Sequence, residues 1–227
     1  MSSHVESLAS EAIASYLDAA QHHEAHQTDR HLFTHLAVYQ NERSHSAAVN
    51  MSIDEALFET VIIPTIRFYR WRCPALSFGY FGKFREVAIY ATRHDLVRRW
   101  TGGGIVFHGD DLTYSIVIPA SDPFFAEPSS TIYERIHLAL CEALNAGGER
   151  AIVAGDVDPE GTAVAVQAGL PAAGYSCFAN PVRADVMIDR RKVAGAAQRR
   201  TRRGLLQQGS IQGVSLQPDF AERFAKA

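Results

Sequence analysis

Three consecutive glycines form the strongest chemical signal in the sequence. They stand in the stretch RRWTGGGIVFH, residues 98–108. Because glycine has no Cβ, a ligand can lie directly against the N–H groups of such a loop, and unusual backbone angles carry no steric cost. The loop suits a carbonyl, a carboxylate or a phosphate, although its spacing is equally compatible with a flexible turn. It is neither a P-loop nor a dinucleotide-binding loop, because no Lys-Ser/Thr pair follows and the GxGxxG spacing is absent.

A short basic stretch, residues 189–203, is the second signal. It contains seven basic residues and one acidic residue, a formal charge of +6, whereas the whole chain carries -3. Such local basicity can steer an acidic partner or hold a phosphate. A solvated hairpin edge explains the charge as well. Lys192 differs from the arginines around it, because the small residues that follow, up to Gly195, let its ammonium and the backbone approach a ligand closely.

A cysteine is the third signal. Cys177 lies in GYSCFANP, where the turn-forming Asn-Pro pair follows it, and an accessible thiol there becomes a nucleophile if nearby cations favour its thiolate. A structural role is the alternative. Cys141, within an apolar helical pattern, is expected in the core, and Cys73 in a turn between strands. Three widely spaced cysteines fit neither a disulfide framework nor a zinc site.

Composition excludes several classes of protein. The chain has 227 residues, of which 47% are hydrophobic and 21% charged, so it can bury a substantial core. No apolar stretch approaches the roughly 18 residues that span a membrane, and the near-neutral charge gives no general attraction for nucleic acid. No secretory signal is visible, so a cytoplasmic location is expected. His22 and His26 have helical spacing for a metal, but without further ligands nearby a solvated linker explains them equally well, and we predict no metal site.

The elements that must position these residues predict an α+β fold, a mixed β-sheet flanked by helices. An amphipathic helix is expected over 3–20, before a polar, histidine-rich linker. Further helices are expected over 46–62, 87–100 and 130–148. Strands are expected over 36–40, 65–71, 75–81, 184–189 and 205–212, with a strand pair around a polar turn within 105–119. Met51, Ile53, Leu57 and Val61 should form a buried helix face.

Four segments, taken in order, resemble the catalytic domain of the lipoate-protein ligase and octanoyltransferase family, which is distantly related to biotin ligases. The segments are 50–59 (NMSIDEALFE), 66–81, 98–115 and 177–211. The resemblance therefore covers roughly residues 36–211. It divides the chain into an N-terminal helix and linker, 1–34, and a catalytic domain, 35–227, which lacks the C-terminal accessory domain that ligases often add.

The resemblance implies a tunnel that holds an eight-carbon acyl chain. Lys192, in a KxxG motif, would bind the acyl carbonyl oxygen or the phosphate of an acyl-adenylate, and Cys177 would be the nucleophile of a transferase. Three aromatic residues could line the acyl chain or belong to the core, namely Phe78, Tyr80 and Phe107. The substrate-binding residues implied are Arg98, Arg99, Thr101, Gly102, Gly103, Gly104, His108, Asp185, Gly195 and Ala196.

The family contains two chemistries. Transferases move octanoyl from acyl carrier protein to an enzyme cysteine and then to a lysine of a lipoyl-domain protein, without a cofactor. Ligases activate lipoate with ATP and Mg²⁺. The Cys-Phe pair at Cys177 and the motif DLTYS resemble the transferase branch, which we favour. The third glycine of the run and Gln208, where relatives commonly have His, depart from that branch, so an ATP-dependent ligase with a separate accessory chain and a non-catalytic acyl-binding or carrier-docking module remain alternatives.

Overall fold

The computed structural model describes residues 31–155 and 182–227. The predicted N-terminal helix, the pair His22 and His26, and Cys177 lie outside these residues. Within the described ranges, no helix is long and apolar enough to cross a membrane.

Two β-sheets form the framework. The larger has seven strands in the order β1-β2-β6-β10-β9-β8-β7, and the smaller has three in the order β4-β3-β5. In both sheets one neighbouring pair is parallel, β1 with β2 and β3 with β4, while the other pairs are antiparallel. The strands are β1 Ala37–Gln40, β2 Thr65–Tyr69, β3 Ala75–Phe78, β4 Asp95–Arg98, β5 Ile105–His108, β6 Leu112–Pro119, β7 Ile152–Val153, β8 Val186–Ile188, β9 Arg191–Arg200 and β10 Gly204–Ile211.

Helices cover both faces of the larger sheet. The α-helices of the described chain are α1 Ala47–Thr60, α2 Phe84–Val87, α3 Ser129–Asn145 and α4 Phe220–Lys226, and short 3-10 turns span Ala88–Tyr90 and Pro123–Ala126. Successive side chains of β6 point to opposite faces. Ile116 and Ile118 therefore pack with α3 and α4, whereas Val117 packs with Ile53 and Leu57 of α1. Helix α1 also contacts β3 and β4, so the smaller sheet lies on the α1 side, and residues of both sheets line a cavity between them.

These observations confirm the α+β prediction and most of the predicted elements. The helix predicted over 87–100 is wrong. Only the short helices before residue 91 form there, and Asp95–Arg98 is strand β4, parallel to β3. The Asp95 carboxylate accepts a hydrogen bond of 2.8 Å from the N–H of Ala47, at the start of α1, which fixes this segment by a contact 48 residues away in the chain.

Two further expectations need correction. Strands β5 and β6 form as predicted, but they belong to different sheets rather than to one hairpin. The basic stretch is a hairpin edge only in part, because residues 191–194 of β9 pair with β8, whereas within the described chain residues 195–200 pair with β10 alone and lead into the hairpin turn. In the predicted helix face, Met51, Ile53 and Leu57 are buried, while Val61 is only half-buried against the cluster that contains Ile53 and Leu57.

Candidate active site

A cavity of about 270 Å³ lies between the two sheets. This volume is near the lower end of the roughly 300–1,000 Å³ typical of small-molecule sites, so it suits a slender ligand. Most of the atoms exposed on its walls are apolar. The lining residues are Met51, Tyr69, Trp71, Ser77, Arg99, Gly103, Gly104, Val106, His108, Thr113, Val182, Asp185, Lys192, Gly195, Ala196, Ala197, Gln208, Gly209 and Ser210.

One side of the cavity, which we call the glycine wall, consists of the loop 102–104 with Arg99, Ser77 and His108. Arg99 is buried, and its Nη2 donates 2.9 Å hydrogen bonds to the carbonyl oxygens of Gly102 and Gly104. A Cβ on Gly79 would lie 2.0 Å from the carbonyl oxygen of Gly103. The carbonyl oxygens of Gly102 and Gly104 therefore bind Arg99, and that of Gly103 lies against Gly79, just after β3.

A chain of hydrogen bonds continues through the glycine wall. Arg99 Nη1 donates to Ser77 Oγ at 2.8 Å, and Ser77 Oγ lies 2.7 Å from His108 Nε2. His108 Nδ1 lies 2.8 Å from Asp111 Oδ2, and the imidazole stacks on Trp71 with centroids 4.0 Å apart. A neutral imidazole that donates from Nδ1 and accepts at Nε2 satisfies every step of this chain.

Burial and hydrogen bonding together set the protonation states of His108 and Asp111. Burial lowers the pKa of His108, aided by the nearby charge of Arg99, despite the opposing effect of Asp111. Burial by itself would raise the pKa of Asp111, but the hydrogen bonds from His108, Ser210 and the Gly109 N–H outweigh it and lower this pKa. At neutral pH the wall therefore contains a neutral histidine bonded to a carboxylate.

A second network of buried hydrogen bonds supports the glycine loop through Thr101, the residue that precedes it. Thr101 Oγ1 donates to Gln208 Oε1 at 2.8 Å, and Gln208 Nε2 donates to Asp54 Oδ2 at 2.7 Å. Asp54 also forms a fully buried ion pair with Arg67, at 2.7 Å, and accepts hydrogen bonds from Tyr69 and Ser115. Such pairing offsets the large cost of burying a charge.

The opposite side, which we call the lysine corner, consists of Asp185, Lys192, Gly195 and Tyr133. Lys192 Nζ lies 2.8 Å from Asp185 Oδ2, and the exposed fractions of these side chains are 6% and 0%. A Cβ on Gly195 would lie 2.6 Å from Lys192 Nζ, so a side chain at this position would displace the ammonium from where it lies. A two-residue turn joins β8 to β9, with positive φ at both Asp189 and Arg190, and brings Lys192 back towards Asp185.

The structure brings most of the sequence-predicted residues together at this cavity. Residues that line it are Arg99, Gly103, Gly104, His108, Asp185, Lys192, Gly195 and Ala196. Thr101 and Gly102 do not line the cavity. Thr101 donates a hydrogen bond to Gln208, and the carbonyl oxygen of Gly102 accepts one from Arg99, so both residues hold the loop in place. Arg98 is exposed and donates to the carbonyl oxygens of Tyr80 and Gly82.

The aromatic residues that could have lined the acyl chain do not line the cavity. Phe78 is buried in the core of the smaller sheet, Phe107 packs against that core, and Tyr80 is 42% exposed. Cys141 is buried as predicted, which raises the pKa of its thiol to about 12. Cys73 is exposed.

Sequence reasoning missed several residues around the cavity. Ser77 and Thr113 lie in β3 and β6, Trp71 follows β2, and no local motif marks them as site residues. Tyr133 looks like an ordinary half-buried helix position until its contact with Asp185, 52 residues later, is seen. The only available signal was a polar residue within a buried strand, as at Ser77.

Comparisons with known proteins agree with this geometry. Residues 46–222 match the family described as lipoyl protein ligase A/B catalytic domain. The octanoyltransferase LipM of Bacillus cereus is 34% identical over 181 residues, which cover 76% of this chain and 64% of that protein. The octanoyltransferase LipM of Geobacillus kaustophilus is 38% identical over 172 residues, 72% of this chain and 60% of that protein. The chain therefore spans about three-fifths of the length of these relatives.

Solved structures show the same fold. Protein Ta0514 of T. acidophilum, a putative lipoate protein ligase solved with bound lipoic acid, superposes with a TM-score of 0.57 at 22% identity, covering 78% of this chain and 65% of that one. A lipoate-protein ligase A bound with ATP gives a TM-score of 0.52 at 20% identity, covering 83% and 73%. The fold and the family match together confirm the resemblance inferred from the four segments. This chain belongs to the lipoyl protein ligase A/B catalytic domain family.

Proposed function

We propose that the protein transfers an octanoyl or lipoyl group to a lysine of a lipoyl-domain protein through a thioester on Cys177. The observation that carries this proposal is the narrow cavity with Lys192 and Asp185 at one side and a glycine-lined wall at the other. The names of the LipM relatives support octanoyl as the acyl group. A structural neighbour described as a bipartite lipoate protein ligase studied with its E2 lipoyl domain supports a lipoyl domain as the acceptor.

The glycine wall suits the acyl chain. The polar atoms of Arg99, Ser77 and His108 described above are occupied by hydrogen bonds to protein groups. A methylene chain can lie against them without depriving a buried polar atom of a partner, which would be costly. Together with Trp71 and Met51, the wall offers the apolar surface that an eight-carbon chain needs.

The lysine corner suits the acyl carbonyl. A Lys192 ammonium that donates a hydrogen bond to the carbonyl oxygen would stabilise the negative charge that develops there during acyl transfer. Asp185 keeps a counter-charge beside this ammonium before the substrate enters. Gly195 leaves space for both the ammonium and the approaching group.

Two acyl transfers complete the proposed reaction. The Cys177 thiolate attacks the carbonyl carbon of an acyl thioester on acyl carrier protein, the carbon–sulfur bond of the donor breaks, and the carrier leaves as a thiol after taking up a proton. The acceptor lysine, as a neutral amine, then attacks the enzyme thioester. An amide forms, the amine loses a proton, and the Cys177 thiolate is restored. No nucleotide or metal takes part.

Intact mass spectrometry tests this function. After incubation with octanoyl carrier protein and without ATP, we expect the wild-type chain to gain the mass of one octanoyl group, and Cys177→Ser to gain none. Cys141→Ser, at a buried cysteine outside the cavity, is the matched control and should still be acylated. Absence of the adduct in wild type, or its persistence in Cys177→Ser, would contradict the thioester route.

An ATP-dependent ligase is the second candidate, because a run of three glycines at the cavity also suits an acyl-adenylate phosphate. This alternative predicts that lipoate stimulates pyrophosphate release from ATP and Mg²⁺, and that Lys192→Met abolishes the stimulation. If neither lipoate nor octanoate stimulates release, the ligase reading is wrong. Acyl binding without either reaction would instead indicate a non-catalytic module.

A further inference from the structure

One face of α3 holds the segment that carries Asp185. Tyr133 and His137 are four residues apart and therefore neighbours on the helix surface, and their ring centroids are 4.2 Å apart. Tyr133 bonds to the side chain of Asp185, and His137 bonds to the backbone of Ala184. The helix thus contacts both a side chain and the backbone at the start of β8.

The Tyr133 hydroxyl makes two hydrogen bonds. It donates to Asp185 Oδ1 at 2.6 Å and accepts from the Ala196 N–H at 3.1 Å. The other carboxylate oxygen of Asp185 faces Lys192 and also accepts from the Val182 N–H at 2.7 Å. Tyr133 therefore fixes the rotation of the carboxylate while it ties that carboxylate to β9, the strand that carries Lys192.

The backbone beside Asp185 is held in an uncommon conformation. Ala184 has φ 66°, in the left-handed region that residues with a Cβ seldom adopt. Its carbonyl oxygen lies 2.6 Å from His137 Nδ1, while His137 Nε2 lies 3.0 Å from the hydroxyl of Tyr114. Burial lowers the pKa of His137 to about 4, so the ring is neutral, donates to the carbonyl and accepts from the hydroxyl. Strained backbone of this kind persists only where its surroundings enforce it.

We infer that Tyr133 is a positioning residue for Lys192, which acts through Asp185 by holding the carboxylate where it meets the ammonium above Gly195. The inference rests on the proposed function in one respect, because the value of a fixed Lys192 is that its ammonium meets the acyl carbonyl. The positioning itself is a property of the unliganded protein and can be measured without turnover.

Competitive lysine labelling tests the positioning directly. The chain has three lysines, so Lys83, which is exposed, serves as an internal reference for Lys192. A buried, ion-paired amine reacts with an acylating reagent such as acetic anhydride through transient opening, and its labelling rate follows the open population. For Tyr133→Phe we expect the ratio of Lys192 to Lys83 labelling to rise on the order of tenfold, since one hydrogen bond to a charged group is lost.

Tyr69→Phe is the matched control. Tyr69 also donates a buried hydrogen bond to a carboxylate, that of Asp54, which is paired with Arg67 rather than with Lys192. We expect Tyr69→Phe to leave the labelling ratio unchanged. An unchanged ratio in Tyr133→Phe, or an equal rise in Tyr69→Phe, would overturn the inference. Circular dichroism of each variant establishes that the protein is folded.

Kinetics add a second readout. If wild type transfers octanoyl, we expect Tyr133→Phe to lower kcat on the order of tenfold while KM for the donor changes little, because the lost interaction serves the transition state. A change in KM alone would contradict a positioning role. If wild type transfers nothing, the proposed function fails, yet the labelling experiment still decides whether Tyr133 positions Lys192.

Discussion

The glycine wall and the lysine corner face each other across one cavity but use their polar groups differently. In the glycine wall, Arg99, Ser77 and His108 are joined in one chain of hydrogen bonds that ends at Asp111. In the lysine corner, Lys192 forms an ion pair with Asp185, at a place where a Cβ on Gly195 would press on the lysine side chain. One side thus presents side chains whose hydrogen bonds are made within the protein, Arg99 among them, and the other presents an ammonium beside a carboxylate.

This difference indicates how binding of the acyl chain and the chemistry of acyl transfer can be assigned to opposite sides of one small cavity. A wall whose side-chain polar atoms are already paired can accept a methylene chain, because burying the chain against these side chains costs no hydrogen bond. A fixed ammonium stabilises charge that develops only during the reaction. Substitutions on the two sides should therefore change different quantities, and the following predictions test this from the largest expected effect to the smallest.

Loss of the ammonium should have the largest effect. We expect Lys192→Met to lower the rate of octanoyl transfer by at least about 100-fold, the range seen when one oxyanion donor is removed. Binding of methyl octanoate, an uncharged ester, measured by calorimetry, should change little, because the glycine wall remains. Transfer at near wild-type rates would remove Lys192 from the chemistry.

The same substitution leaves the Asp185 carboxylate buried without the lysine charge, which can cost about 3–5 kcal/mol. The double variant Lys192→Met, Asp185→Asn removes both charges and provides a folded protein if the single variant is unstable. It should be as inactive as the single variant. Recovery of activity in the double variant would show that the unpaired carboxylate, and not the missing ammonium, causes the defect.

Acid should weaken the helix contact behind the lysine corner. His137 takes up a proton near pH 6.5 in the unfolded chain but only near pH 4 in the folded protein, because it is buried. The free energy of unfolding should therefore fall as the pH is lowered through this window, by up to roughly 3 kcal/mol from this residue. Urea unfolding from pH 7 to pH 4.5 measures the slope.

His137→Gln is the variant that isolates this contribution. Its stability should depend less on pH than that of wild type over the same range. His108 in the glycine wall also has a lowered pKa, so a residual slope is expected in the variant. Parallel curves for the two proteins would show that His137 does not bind its proton differently in the folded and unfolded states.

The network below the glycine wall should contribute mainly to stability. Gln208→Leu removes the bond to Asp54 and the bond from Thr101, so we expect the free energy of unfolding to fall by roughly 2 kcal/mol. Gln198→Leu is the control, because Gln198 bonds to the neutral Gln207 on the same hairpin, and it should cost about 1 kcal/mol or less. Equal losses would show that Asp54 does not depend on Gln208.

A larger side chain inside the cavity should change which length of acyl chain the protein prefers. Ala197 lines the cavity, and Ala197→Leu should lower the preference for octanoyl over butanoyl donors by about tenfold, because added methylene groups in an apolar pocket discriminate on this scale. Ala120→Leu adds the same atoms at an exposed turn and should change nothing. An unaltered preference in Ala197→Leu would place the acyl chain elsewhere.

The sequence allowed Lys192 and the glycine loop to be predicted as neighbours of one ligand cavity, because each is marked by a motif of adjacent residues. The helix expected over 87–100 was wrong because Asp95 bonds to Ala47, and the segment that follows pairs with β3. The patterns of apolar residues carry no information about such a contact. Element type was therefore predictable wherever local periodicity and tertiary pairing agree.

Residues that act through distant partners were not predictable. Ser77 meets His108 across 31 residues, and Tyr133 meets Asp185 across 52. Both contacts depend on how the strands and α3 are arranged, which the sequence specifies only as a whole. Gln208 shows the same limit, because its role as a bridge between Thr101 and Asp54 becomes apparent only when three segments meet.

The most direct test of the account is transfer of octanoyl from a carrier-protein thioester to a lipoyl-domain lysine without nucleotide, followed by the mass of the acceptor. We predict that wild type acylates the acceptor and that Lys192→Met fails to do so while it still binds methyl octanoate, an uncharged ester. Transfer that requires ATP, or transfer that proceeds equally well without the Lys192 ammonium, would contradict the account.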